Sequence, residues 1–255
     1  MIKKLLLGLL VGLLGLAGWL YFSMLATIPQ DRIQLANPAN AASKDAPILI
    51  FGASRNSGLE LAKKLHARGE QVVAFVRPTS DRTALEALDA SFLEGDAMDA
   101  ESVEAATRSQ PFRAVVTTVG CLKCDPPVDF VANRNIIDAT KAAGINRLLL
   151  ITTIGAGDSF EVIPFPTQKI LGPILPLKTQ AEAHLRASGL NYIIIRPGGL
   201  LSGQPSGNGM LSEAPEAFGY IDRSDLAEMM LACLDGNACD GKTLAAIDSL
   251  RTTYW

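Results

Sequence analysis

Two short stretches of this chain hold residue types at spacings that could do chemistry. The first is Gly52-Ala-Ser-Arg-Asn-Ser-Gly58, which follows the apolar run Pro47-Ile-Leu-Ile-Phe51. A glycine ending a strand and a second opening a helix let backbone N–H groups approach a pyrophosphate at the positive helix end. A plain tight turn would look the same, and Arg55 stands where such turns usually carry a middle glycine. The second stretch is Cys121-Leu-Lys-Cys124. Two loop thiols without special chemistry, a redox-active or structural disulfide, and half of a metal site all fit it. A redox pair wants a helix N-terminus to lower one thiol pKa, and Pro126-Pro127 lies just before a helical pattern. Zinc would need two further ligands, and His66 and His184 fall on helices at no matching spacing, so we expect no metal.

The elements that must position these residues follow from periodicity. An apolar strand over 47–51 leads through the glycine turn to a helix with Leu59, Leu61, Ala62 and Leu65 on one face. Strand 71–76 stops at Arg77-Pro78. Helix 82–88, strand 91–94 ending in Gly95-Asp96, helix 100–108 and strand 113–118 come next. The cysteine loop then opens a helix to Ala143, which Gly144 terminates. Strand 147–152 follows. Residues 155–176 hold four prolines and read as an irregular excursion. Helix 178–188 leads to strand 191–196 and Pro197-Gly-Gly199. A Gly/Ser-rich loop to Gly219, a helix over 224–234 and a last strand near 243–247 complete the chain. Strands alternating with helices through right-handed crossovers predict an α/β fold with a doubly wound parallel sheet, its functional face at the strand carboxyl ends.

Ahead of this domain, Lys3 and Lys4 precede an uncharged apolar run closed by Trp19, Tyr21 and Phe22. Roughly 20 such residues span a bilayer core, so 1–28 read as a single transmembrane anchor with residues 5–26 in lipid. A cleaved signal peptide and a helix packed on the domain are the alternatives; the run is long for a signal, and no small-x-small site follows it. The lysines weakly favour a domain on the outer side, in conflict with a cytosolic cofactor. Residues 29–45 read as a linker, 46–248 as the folded domain and 249–255 as a tail. With a net charge of -3 and a pI near 5.5, the chain lacks the basic stripe that nucleic-acid binding requires.

The order of motifs resembles a known family. The glycine turn, Arg77, Gly95-Asp96 with Asp99, ITTIGAGDS after the fifth strand, Lys178 with Glu182, IIIRPGGL and Ile221-Asp-Arg-Ser-Asp-Leu-Ala227 are together similar to the atypical short-chain dehydrogenase/reductases, NAD(P)H-binding Rossmann proteins of the NmrA-like and biliverdin reductase B-like kind. The resemblance implies a dinucleotide held by Gly52, Ser54, Arg55, Asn56, Ser57 and Gly58. Asp96 and Ala97 would lie at the adenine, Thr117, Thr118, Val119 and Gly120 along its middle, and Thr152, Lys178, Pro197 and Gly198 further on. It also implies catalytic positions: Thr152 or Thr153 for a hydroxyl, and Lys178 for the lysine of Tyr-x-x-x-Lys. The tyrosine place is Ile174, which has no proton to give. Glu182 would pair with Lys178 one turn away or anchor the fold locally.

NAD-preferring proteins carry an acid at the end of the second strand, whereas an arginine there accommodates a 2′-phosphate. Arg77 occupies that place, and Arg55 could reach the same group, so NADP(H) is expected over NAD(H). The resulting expectation is a membrane-anchored oxidoreductase passing hydride to a small, hydrophobic or quinone-like molecule. Its rivals are a non-catalytic accessory or assembly subunit of a membrane complex, with a structural or sensing dinucleotide, and a luminal or periplasmic binding protein. Cys233 is expected in a helix core and Cys239 in a loop.

Overall fold

The computed structural model describes Gly12, residues 14–18, 24–35 and 46–253. Its centre is a run of short apolar strands: β1 (Ile48–Phe51), β2 (Val72–Val76), β3 (Ser91–Glu94), β4 (Ala114–Thr117), β5 (Arg147–Ile151) and β6 (Asn191–Pro197). β1, β2 and β4 are buried at every residue, as strands covered on both faces must be. Alternate β1 side chains feed two cores. Ile48 and Ile50 pack with Leu61 and Leu226 on one face, while Leu49 and Phe51 pack with Ile136 and Leu185 on the other. Each such fully buried side chain contributes about 1.5–3 kcal/mol.

The intervening helices are α1 (Asn56–Ala67), α2 (Thr83–Glu86), α3 (Ala100–Arg108) and α4 (Val131–Ala142). The sheet order is β3-β2-β1-β4-β5-β6, continued by β10 (Lys242–Asp248) and β8 (Gly209–Ser212). The order reverses between β1 and β4, and that switch point opens a crevice at the strand carboxyl ends. The α/β doubly wound reading therefore holds, with one correction: β8 pairs antiparallel to β10, so the sheet is not wholly parallel.

Two stretches read as irregular are structured. Residues 155–176 contain a 3-10 turn (Gly157–Val162), the helix α5 (Phe165–Leu171) and the start of α6 (Leu175–Ala187). Pro166 and Pro176 sit in the first turns of α5 and α6, where a proline's missing N–H has no partner to lose. The supposed Gly/Ser-rich loop likewise holds β8 and β7 (Gly199–Leu201), which pairs with β9 (Tyr220–Asp222). The last helix, α7 (Arg223–Asp235), is capped by Asp222, whose carboxylate accepts from Ser224 N.

Residues 24–35 lie along the domain instead of hanging free as a linker would. Thr27 bridges Phe218, Ile33 N donates to Leu211 O at 2.9 Å, and Ser212 Oγ donates to Asp31. Pro29 is buried, and Ile33 and Leu35 pack on the core. Ala26 N reaches Thr252 O, so the tail is tied to the same strap. Among the described residues no helix is long and apolar enough to cross a membrane. Most of the anchor expected over 1–28, and residues 36–45 of the linker, lie outside the described residues.

Candidate functional site

A cleft of about 370 Å³ opens at the switch point. Gly52 ends β1 with φ +85, a conformation that costs glycine nothing. Gly58 sits one helical turn on, where an added Cβ would stand 2.3 Å from Gly52 O. Only glycine allows α1 to approach β1 this closely. Arg55 fits without strain because its backbone is extended (φ -158), and Asn56 takes the left-handed place (φ 53); asparagine is among the residues that tolerate it. The first turn of α1 carries no acid and no side-chain cap. Its first N–H groups have no partner within the helix, and Asn56 and Ser57, which carry two of them, line the cleft. This is an anion cradle.

Most residues expected at a dinucleotide line the cleft. Gly52, Ser54, Arg55, Asn56 and Ser57 form its first wall, Arg77, Asp96 and Ala97 one end, and Thr118, Val119, Gly120, Thr152, Thr153 and Lys178 the other. The loop after β3 is pinned from beneath, where Asn135 Nδ2 donates to the carbonyls of Ala97 and Met98. Asn133 does the same for the loop after β4, donating to Val119 O and Asp129 O while accepting from Thr117 Oγ1 at 2.7 Å.

Four expected contacts fall elsewhere. Thr117 is fully buried behind the cleft, its hydroxyl spent on Asn133. Gly58 packs beneath the turn without lining it. Pro197 and Gly198 belong to a second, apolar chamber of about 510 Å³, whose walls include Met24, Ile154, Ile163, Pro164, Phe218 and Tyr220. The chamber shares Thr153, Leu171 and Leu200 with the cleft, so the two spaces adjoin.

The lysine's partner differs from the expected one. Lys178 Nζ stands 2.8 Å from Asp129 Oδ1, not on Glu182. The other Asp129 oxygen accepts from Cys121 N at 3.1 Å, so one fully buried carboxylate ties the lysine to the cysteine loop. Asp129 escaped sequence reasoning; its only signal was an acid just before a helix that begins beside the cleft.

Glu182 is a local anchor of a kind that one sequence could not specify. Fully buried, it accepts from Thr152 Oγ1 at 2.7 Å, from Arg186 Nη2 at 2.9 Å, and from Arg196 Nε and Nη2 at 2.9 and 2.7 Å. Burial alone would lower the pKa of Arg196, but its hydrogen bonds to Glu182 and Asp158 outweigh that and raise it. The Arg196 bond in turn holds the Asp158 carboxyl below the usual carboxylate range. Thr152 therefore points its proton at a structural carboxylate, which leaves Thr153 as the hydroxyl-bearing residue common to both cavities.

Both cysteine pairs are bonded: Cys121 to Cys124 at the cleft, and Cys233 to Cys239. Cys233 is in the helix core and Cys239 in the loop between α7 and β10, both as expected, and Cys239 is buried there. Among the described residues no group of three or more His, Cys, Asp or Glu could hold a metal ion.

A family model described as NAD(P)H-binding matches residues 52–237. The chain belongs to this NAD(P)H-binding family. The solved structure of ChuY, an anaerobillin reductase from Escherichia coli, superposes with a TM-score of 0.73 at 32% identity, covering 79% of this chain and 97% of that one. An uncharacterized chloroplastic protein of Arabidopsis thaliana is 28% identical over 215 residues, 77% of this chain and 74% of its own. The photosystem II assembly factor Ycf39 of Cyanidium caldarium is 27% identical over 199 residues, 72% of this chain and 60% of its own. The family's reach explains the cleft: the matched region begins at the glycine that ends β1 and takes in every residue of the cradle. This protein is an oxidoreductase-like member with a dinucleotide-binding Rossmann domain.

Proposed function

We propose that this chain is a membrane-anchored oxidoreductase of the atypical short-chain type that uses NADP(H) and acts on a small lipophilic molecule. The observation that carries the cofactor choice is Arg77, at the mouth of the cleft immediately after β2 with no acid beside it, and Arg55 on the same cleft. A guanidinium holds a phosphate through paired N–H donors. The N–H groups of Asn56 and Ser57 would take the pyrophosphate, with Gly58 letting the helix start close behind them. Asp96 and Ala97 would border the adenine, and Lys178, oriented by Asp129, would hold the ribose.

A bound nicotinamide supplies the hydride. The chain's own residues orient it and shape the apolar chamber next to it. Thr153 is placed to hydrogen-bond a polar group of a molecule lying across the two cavities. Ile174 lines the cleft at the tyrosine place, so solvent supplies the proton.

A second reading has its own observations. The lysines ahead of the apolar run favour a domain on the outer side, and two disulfides fit an oxidising compartment. There a dinucleotide would be resident, and the protein an accessory or assembly subunit, the role that Ycf39's name gives to that relative. Purification of the full chain in mild detergent separates the readings. The enzyme reading expects a solitary protein that oxidises NADPH when given a lipophilic quinone. A stable complex with bound, non-exchanging dinucleotide and no turnover contradicts it.

A further inference from the structure

The apolar chamber has one wall that nothing in the domain covers. None of the residues of α5 is buried. Thr167 and Leu171 face the chamber, while Phe165 and Ile170 are 56% and 60% exposed, with Phe160 exposed on the preceding turn. Large apolar side chains grouped on one short segment mark a contact surface, unlike single ones scattered over a protein. Lys169 lies 5.3 Å from the centre of the Phe165 ring, and an aromatic beside a base suits the boundary between lipid and water.

A separate observation says what the surface meets. Met24 also lines the chamber, and its carbonyl accepts from Tyr220 Oη at 2.9 Å. In the sequence Met24 directly follows the apolar run, in which Lys3 and Lys4 are the only charges. The chamber is therefore walled on one side by the end of a stretch long enough for a bilayer and on another by an exposed apolar helix. Its lining between them is almost wholly aliphatic and aromatic, and it adjoins the dinucleotide cleft through Thr153, Leu171 and Leu200.

We infer that α5 rests on the lipid bilayer and that the chamber behind it takes a lipophilic ligand directly from the membrane. This deepens the anchored reading above and rests on it for the N-terminal run. α5 acts as the door: one side lines the chamber and the other meets lipid, so an apolar molecule passes between them without crossing water.

The test uses the full chain reconstituted in phosphatidylcholine vesicles, with Trp19→Phe and Trp255→Phe removing the two native tryptophans. Phe165→Trp then reports on α5, and Phe92→Trp on the far edge strand β3 serves as control. Lipid brominated near the headgroup should extinguish most of the Phe165→Trp emission and leave the Phe92→Trp emission unchanged. Emission quenched only by aqueous iodide overturns the inference. Emission shielded from both quenchers overturns it too, because protein would then cover α5.

For the ligand, Phe218→Trp in the same background places a reporter on the chamber wall. A long-tailed benzoquinone carried in the vesicles should quench it, and adding Phe165→Glu with Ile170→Glu should slow that quenching severalfold while the thermal shift with NADPH stays as in the parent. No quenching by the quinone, or the same rate with the charged pair, refutes the door. These fluorescence readings need no dinucleotide, so their failure is distinguishable from a failure of the cofactor assignment.

Discussion

Arg77 and Arg55 are both exposed at the cleft, free to close on whatever the cradle holds. If they grip a 2′-phosphate, each charge-assisted contact is worth about 1.5–3 kcal/mol. Arg77→Ala and Arg55→Ala should then each weaken NADPH by about 10- to 100-fold and NADH far less, measured by titration calorimetry; equal losses for both cofactors would mean that neither arginine reads the phosphate. Arg77 was legible in the sequence because strand ends are, and the place after the second strand has one physical job. Asp129 and Arg196 were not legible. Their roles come from partners 49 and 14 residues away, Lys178 and Glu182, brought together by the turns of β4, β6 and α6, and no local pattern encodes such a meeting.

At the scale of elements, the buried Glu182 network stitches β5, α6 and β6 together beneath the cleft. It joins Thr152 at the end of β5, Arg186 on its own helix and Arg196 on β6. Removing one member of a buried ion pair leaves an uncompensated charge and costs about 3–5 kcal/mol. Glu182→Ala should lose that much in urea unfolding and release the hydroxyl of Thr152; a loss below about 1 kcal/mol would mean that water already screens the cluster. β1 to β6 and β10 followed from apolar runs bounded by glycine and proline. α5 did not, because Pro164, Pro166 and Pro176 in twenty-odd residues read as breakers until their places at helix starts are seen. β8 was missed for a related reason: Gly209-Met-Leu-Ser212 is short and starts on a glycine within a Gly/Ser-rich stretch, and only its pairing with β10 makes it a strand.

Over the whole molecule, the segment 157–171 is tied to the domain by Ile163 in the core, by Gly157 N donating to Thr179, and by the ion pair of Asp158 with Arg196. Because hydrogen bonding to Arg196 depresses the folded-state pKa of Asp158, its contribution is fully present above the unfolded value of about 3.9 and is lost as pH falls through the lower folded value. Asp158→Asn should therefore lower the melting temperature at neutral pH, and the gap to the parent should close as pH falls below that unfolded value. A gap independent of pH would show that the carboxylate charge is not what ties the segment down. The same whole-molecule view joins the strap at 24–35, the chamber and the cleft into one path leading to the cradle at Gly52 and Gly58. That path matters only if the cradle holds a dinucleotide, and thermal unfolding of the full chain in detergent with NADPH, NADP+, NADH or NAD+ asks this most directly. A ligand at 100 times its dissociation constant adds about 2.7 kcal/mol, so the melting temperature should rise by several degrees, with the 2′-phosphorylated pair acting at lower concentration than the other. No rise with any of the four would contradict the account.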